Sequence, residues 1–246
     1  MLESIIPVVG RAVSEYPVQM GSHSVHGPID LPFAFPFYGK EYKQIWISGS
    51  GVILFSEPDS LSTLANITSL PRTNGKDTKI GPAFCPLWEG MLAGACEADM
   101  AYTIQDSAVG IAWNGVAISG MVYRKNSFQA WIYSTGVMDV FYEDVYIKPI
   151  SEELSSVNGV VGVIDHTRKR GLTSKLIGNG RIQNTGLRFT PEEADFTDVS
   201  TTSSAKLPTP DYTAQAYVTT GDIVERTLYV PGLCVNIDLK IRPLTE

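Results

Sequence analysis

Two histidines, His23 and His26 in GSHSVHG, stand three residues apart, a spacing that two ligands of one metal ion can have. A zinc site needs three or four ligands, and no cysteine lies near the pair. Asp165 and His166 are two of the three parts of a hydrolase triad. The third would be a serine, and the chain contains no Gly-x-Ser-x-Gly elbow. Glu89, Glu97, Asp99, Glu143 and Asp144 are carboxylates that could supply a glycoside-cleaving pair, which would require two of them roughly 5–10 Å apart across a cleft. The GNG at 178–180 reads as a turn, because neither Lys-Ser nor Lys-Thr follows it and no helix pattern begins there. NIT at 66–68 is a glycosylation acceptor that matters only in an exported chain. Trp131 and Tyr133 share one side of a strand pattern, as a sugar platform, a protein interface or half of a two-layer core would need; the core is the favoured expectation. None of these groups forms a complete catalytic, metal or cofactor constellation. The expectation is a protein without catalytic residues, bound cofactor or metal, with calcium binding left open.

Composition narrows the partners. The 246 residues carry a formal net charge of −7, against the basic face that a phosphate backbone requires, so no nucleic acid is expected. The most basic run, HTRKRG at 166–171, reads as a solvated loop. Charged residues are 18%, below the usual quarter, which suits a surface partly covered by other subunits. Cys85, Cys96 and Cys234 are too few and odd in number for a disulfide framework. A Cys85–Cys96 bond is one option, and three buried thiols are the favoured one. The N-terminal stretch MLESIIPVVG lacks a basic start and an apolar run of roughly 7–15 residues, so no signal peptide is visible. No run nears the about 18 apolar residues of a membrane span, so no membrane insertion is expected.

The elements that would position these residues are strands. Runs at 42–48 and 51–55 flank Gly49-Ser50, and runs at 99–105 and 108–118 flank Asp106-Ser107, both hairpin signals. In 126–136, Phe128, Ala130 and Ile132 alternate with Gln129, Trp131 and Tyr133, the period of two that marks a strand. Further strand-like runs lie at 137–144, 158–165 and 186–190. Only 59–70 and 150–157 suggest a turn or two of helix. The expected fold is all-β, an antiparallel β-sandwich with extended N-terminal and C-terminal arms. The expected organisation is an arm over 1–30, the sandwich over 31–190, a Ser/Thr/Pro-rich linker over 191–212 and a β segment over 213–246.

The segment LPFAFPFYGKEYKQIWISGSGVILF, 31–55, resembles the opening of the nidogen-type extracellular domain. Its pattern of Phe-Pro-Phe-x-Gly-x-x-Tyr followed by a Gly-x-hydrophobic-x-Phe strand falls on Phe35, Pro36, Phe37, Gly39, Tyr42, Gly51 and Phe55. IGPAFCPLWEG at 80–90 is similar to the family's Ile-x-Pro-x-Trp-acidic segment. Trp113, Asn114 and Val116 resemble its Trp-Asn-x-Val strand. Asn126, Phe128, Gln129, Tyr142 and Asp144 match the two strands after it. The likeness covers about 31–190, closing on VVGVID. It departs in having Ser50-Gly51 where the family has Asn-Gly, and a lone Glu89 where two acidic residues often follow the tryptophan.

The resemblance implies a secreted adhesion or matrix module. The favoured expectation is a non-enzymatic structural subunit of a protein assembly, a phage-type virion or an extracellular structure. The alternative is a secreted adhesion module excised from a longer chain, and the third is a carbohydrate-active enzyme. Expected partners are copies of the chain or other subunits, with a cell-surface or glycan receptor possible. The interface candidates are Ile5, Ile6, Val8 and Val9 in the N-terminal arm, and Val235, Ile237, Leu239 and Ile241 near the other end. The first four are apolar beside Pro7 and Gly10, which oppose a long helix. The second four alternate along a strand with one apolar face.

Overall fold

The computed structural model describes residues 16–18, 24–58, 80–88, 91–92, 99–118, 121–146, 160–168, 170–175, 181–191, 212–218, 224–230 and 235–241. Every element in them is a strand, and every strand pairing is antiparallel. The strands are β1 (Tyr16–Val18), β2 (Val25–Phe37), β3 (Lys40–Ser48), β4 (Val52–Leu54), β5 (Ala83–Trp88), β6 (Met91–Leu92), β7 (Asp99–Gln105) and β8 (Ala108–Ile118). They continue as β9 (Met121–Tyr133), β10 (Met138–Tyr146), β11 (Val160–Ile164), β12 (Gly171–Lys175), β13 (Arg181–Pro191), β14 (Tyr212–Val218), β15 (Val224–Val230) and β16 (Val235–Ile241). A large sheet runs β1-β7-β8-β9-β10-β13-β14, with β6 also beside β8. A smaller sheet runs β12-β11-β5-β4-β3-β2, and β15 and β16 form a separate ribbon. The result is the expected β-sandwich. The two helix-like runs, 59–70 and 150–157, lie outside the described residues.

The period-two pattern explains which residues lie between the sheets. Val109, Ile111 and Trp113 of β8, Phe128, Ala130 and Ile132 of β9, and Met138, Val140 and Tyr142 of β10 all enter one core. They meet Phe35, Phe37, Ile45, Ile47, Phe55 and Phe84 from the small sheet. The aromatic share is high: Phe35 and Phe37 pack on Phe55 at 4.9 and 4.6 Å, and Trp113 stacks on Phe128 at 4.8 Å. The alternate residues of the small sheet, among them Val52, Leu54, Ala83, Cys85 and Trp88, form a second buried cluster on its far face.

β2 is the strand that the sequence pattern conceals. Pro28, Pro32 and Pro36 each lack an N–H, which argues against a central strand. β2 tolerates them because it is the outermost strand of its sheet. All three prolines are exposed, while Ile29, Leu31, Phe35 and Phe37 point inward. Its register shifts twice, between His26 and Ile29 and between Asp30 and Phe35. The strand then reverses through Tyr38 and Gly39, with φ of 47° and 73°. Positive φ at both central residues is the two-residue hairpin geometry that follows the natural strand twist. Tyr38 holds this conformation while its ring is buried against Phe37 and Tyr212.

Two polar contacts tie the sheets together through the core. The Trp113 indole N–H donates to the Ser48 carbonyl at 2.9 Å. The Tyr142 hydroxyl donates to the Pro86 carbonyl. Each joins the large sheet to the small one, and each buries its polar group with a partner, as a buried N–H or O–H requires.

Candidate functional site

Among the described residues, those that could do chemistry are not brought together. His23 lies outside the described residues, and His26 is exposed on the edge strand β2. No group of three metal-binding side chains occurs among the described residues. Glu89, Glu97 and the GNG turn also lie outside them, as do Asn66, Cys96 and Cys234. Asp99 is on β7, whereas Glu143 and Asp144 are on β10, with β8 and β9 between. Three strand spacings are about 14 Å, beyond the roughly 5–10 Å of a glycosidase pair.

Asp165 has a structural task. Its carboxylate accepts from the Thr167 hydroxyl at 2.6 Å and from the Arg170 backbone N–H at 3.1 Å. Its backbone N–H donates to Arg170 at 2.9 Å, and its carbonyl accepts from the Arg168 N–H at 3.2 Å. The carboxylate therefore fastens the turn between β11 and β12, which is what the basic run after it builds. Arg168 takes a φ of 63° in that turn. The Arg170 guanidinium reaches back over the Tyr38 ring at 5.6 Å, within cation–π range. Burial, with a smaller contribution from the Asp165 charge, pushes Tyr42 up to about 12.

Trp131 and Tyr133 are on the far side of the large sheet from the main core. Trp131 is only 3% exposed and packs with Ala108, Ala112 and Tyr133. A Cβ on Gly110, directly opposite it, would come within 2.7 Å of the indole. The indole N–H donates to the Gln129 side chain at 3.0 Å. An indole so enclosed offers no ring face to a sugar. Beside it Asp139 holds Arg188 through two hydrogen bonds of 2.7 and 2.6 Å, a bidentate pair on neighbouring strands.

Cys85 is a free thiol, fully buried on β5. Burial raises its pKa far above the ordinary thiol value, so the reactive thiolate is suppressed. Ellman's reagent at pH 8 is expected to leave the Cys85 peptide unlabelled in the folded chain and to label it fully in denaturant. Peptide mapping by mass spectrometry checks this, and rapid labelling of the folded chain would contradict it.

Of the interface candidates, Ile5, Ile6, Val8 and Val9 lie outside the described residues. Val235, Ile237, Leu239 and Ile241 are on β16, where the register sets them opposite Val230, Leu228, Arg226 and Val224 of β15. The ribbon they belong to sits at one seam of the sandwich, with β15 against β12 and β16 against β14.

One surface feature has no counterpart in the sequence patterns. Tyr16 of β1 is the exposed large apolar side chain of the described residues, at 42%. The register places it opposite Tyr102 of β7, and the two rings stack at 4.9 Å and 18°. Tyr102 in turn lies 6.0 Å from the ring of His26 on β2. These residues are far apart in the chain, so no local spacing points to them; the pairing of a three-residue edge strand brings them together.

The residues that carry the nidogen-like pattern are thus largely interior. Phe35, Phe37 and Phe55 fill the core, Gly39 makes a tight turn, and Trp113 and Tyr142 join the sheets. No curated protein and no solved structure matches the chain. A family model described as "NIDO related" matches residues 11–218, more than the 31–190 that the motifs span, and the chain belongs to that NIDO-related family.

Proposed function

We propose that the chain is a non-enzymatic structural module working outside the cell, a subunit of a virion or extracellular assembly built on an adhesion-like sandwich. The observation that supports this most is how its distinctive residues are used. The aromatic and turn residues of the family pattern go into the core, the tight turns and the contacts between sheets. Among the described residues, the acidic groups considered for chemistry cap a turn, as Asp165 does, or lie on well-separated strands. Such a chain acts through its surfaces and its copies. The apolar stretch at 5–9 and the alternating β16 strand are the proposed contacts between subunits.

The test combines a broad glycosidase and esterase screen with light scattering on the purified chain. The expected results are no turnover and particles larger than a monomer. Deleting residues 1–15, which stops short of β1, is expected to reduce the particle size. An intact chain that stays monomeric at high concentration would refute the assembly role. Turnover abolished by a single carboxylate substitution would refute the non-enzymatic one.

A further inference from the structure

We infer that the ledge of Tyr16, Tyr102 and His26 is a carbohydrate-binding site that takes one pyranose ring of a glycan against Tyr16. The inference rests on the extracellular reading above and gives it a ligand class. Among the described residues, the ledge stands at one edge of the sandwich. β1 is the outermost strand of the large sheet on this side, β2 is the outermost strand of the small sheet, and β2 comes up against β7. At the opposite seam the β15–β16 ribbon lies against both sheets.

The ring geometry selects the ligand. Tyr102 supports one side of Tyr16, and Tyr16 is still 42% exposed. A ring held in this way has a fixed orientation, so little conformational freedom is lost on binding. Its natural partner is a flat, weakly apolar face rimmed by hydroxyls. The C–H face of a pyranose is such a surface. Tyr16, Tyr102 and the exposed His26, whose ring lies 6.0 Å from that of Tyr102, carry the donors and acceptors that such hydroxyls would meet.

The same strands disfavour a peptide. An extended peptide binds a sheet edge by main-chain hydrogen bonds. β1 is three residues long with Pro17 at its centre. β2 carries Pro28 two residues after His26 and shifts register there. Both edges are poor templates for strand addition. The net charge of −7 disfavours a nucleic acid, whose bases could also stack. A ligand recognised by ring stacking and side-chain hydrogen bonds remains.

The experiment is saturation-transfer NMR on the full chain with the methyl glycosides of glucose, galactose, mannose and N-acetylglucosamine, and with their short oligosaccharides. At least one probe is expected to bind saturably, with a Kd of about millimolar, ordinary for a small ligand on an open surface. Tyr16→Ala is expected to weaken binding at least tenfold. Tyr16→Trp should retain it, and Tyr133→Ala, on the far face of the sheet, should leave it unchanged. Tyr16 is exposed, so its variants should fold, which circular dichroism verifies. Absence of binding by every probe, or unchanged binding by Tyr16→Ala, would overturn the inference. Either result leaves the size of the assembled particle and the turnover screen unaffected, so it is distinguishable from failure of the structural role.

Discussion

Trp113→Ala is expected to lower the unfolding free energy by about 3–5 kcal/mol, the range for deleting a large buried aromatic. Trp113 is fully buried, stacks on Phe128 within 4.8 Å and donates its indole N–H across the core to Ser48. Two effects add. The cavity removes contacts from β8 and β9, and the Ser48 carbonyl loses one of its donors. Trp113→Phe separates them, because it keeps an aromatic ring in the site and removes the donor. It is expected to cost about 0.5–1.5 kcal/mol, the net worth of one hydrogen bond, because the Ser48 carbonyl keeps the Gly51 N–H as a donor. Tyr142→Phe removes the equivalent contact to Pro86 and is expected to cost about the same. Urea unfolding followed by near-ultraviolet circular dichroism gives the values. If Trp113→Phe proves as stable as the native chain, the indole hydrogen bond does not help to join the sheets.

Much of this architecture was legible in the sequence because the large sheet is built from hairpins. Asp106-Ser107 connects β7 and β8 as the turn signal indicated, and the alternation in β9 correctly divides Phe128, Ala130 and Ile132 from Trp131. What was hidden is what long-range pairing decides. β2 gives no strand signal because its three prolines oppose a central strand, and only its edge position makes them harmless. β5 is an apolar run interrupted by Pro86, and it becomes a strand by lying between β4 and β11. The ledge was less legible still. Neither Tyr16 nor Tyr102 differs in local pattern from any other strand tyrosine, and their stacking depends on a pairing across more than eighty residues. Conversely, Trp131 and Tyr133 had the spacing of an outer-face platform. Alternation identifies the face of a sheet on which a residue lies, but not what covers that face.

Gly51→Ala is expected to be at least as damaging as the loss of Trp113, although it adds one methyl group. Gly51 has a φ of 76°, in the left-handed region, where a side chain costs roughly 1–2 kcal/mol. The larger effect is steric. A Cβ there would stand 2.1 Å from the Leu87 carbonyl oxygen and 2.5 Å from the terminal methyl of Met91. The methionine can move, but the carbonyl belongs to the backbone of β5, and Leu87 also donates its N–H to the Gly51 carbonyl at 3.4 Å. Relieving the clash therefore means separating the turn from β5. The same turn ends on Ser48, whose carbonyl accepts from both the Gly51 N–H at 3.1 Å and the Trp113 indole at 2.9 Å. Displacing Gly51 thus disturbs the contact that joins the two sheets. Ser50 provides the contrast one residue away. It is fully buried, and its hydroxyl has no hydrogen-bond partner among the described residues. Removing an unsatisfied buried hydroxyl relieves a desolvation penalty, so Ser50→Ala is expected to be neutral or mildly stabilising. Gly51→Ala should shift the urea midpoint strongly downward or yield insoluble protein, while Ser50→Ala matches or exceeds the native midpoint. Equal midpoints for Gly51→Ala and the native chain would show that this turn does not pack beneath Leu87.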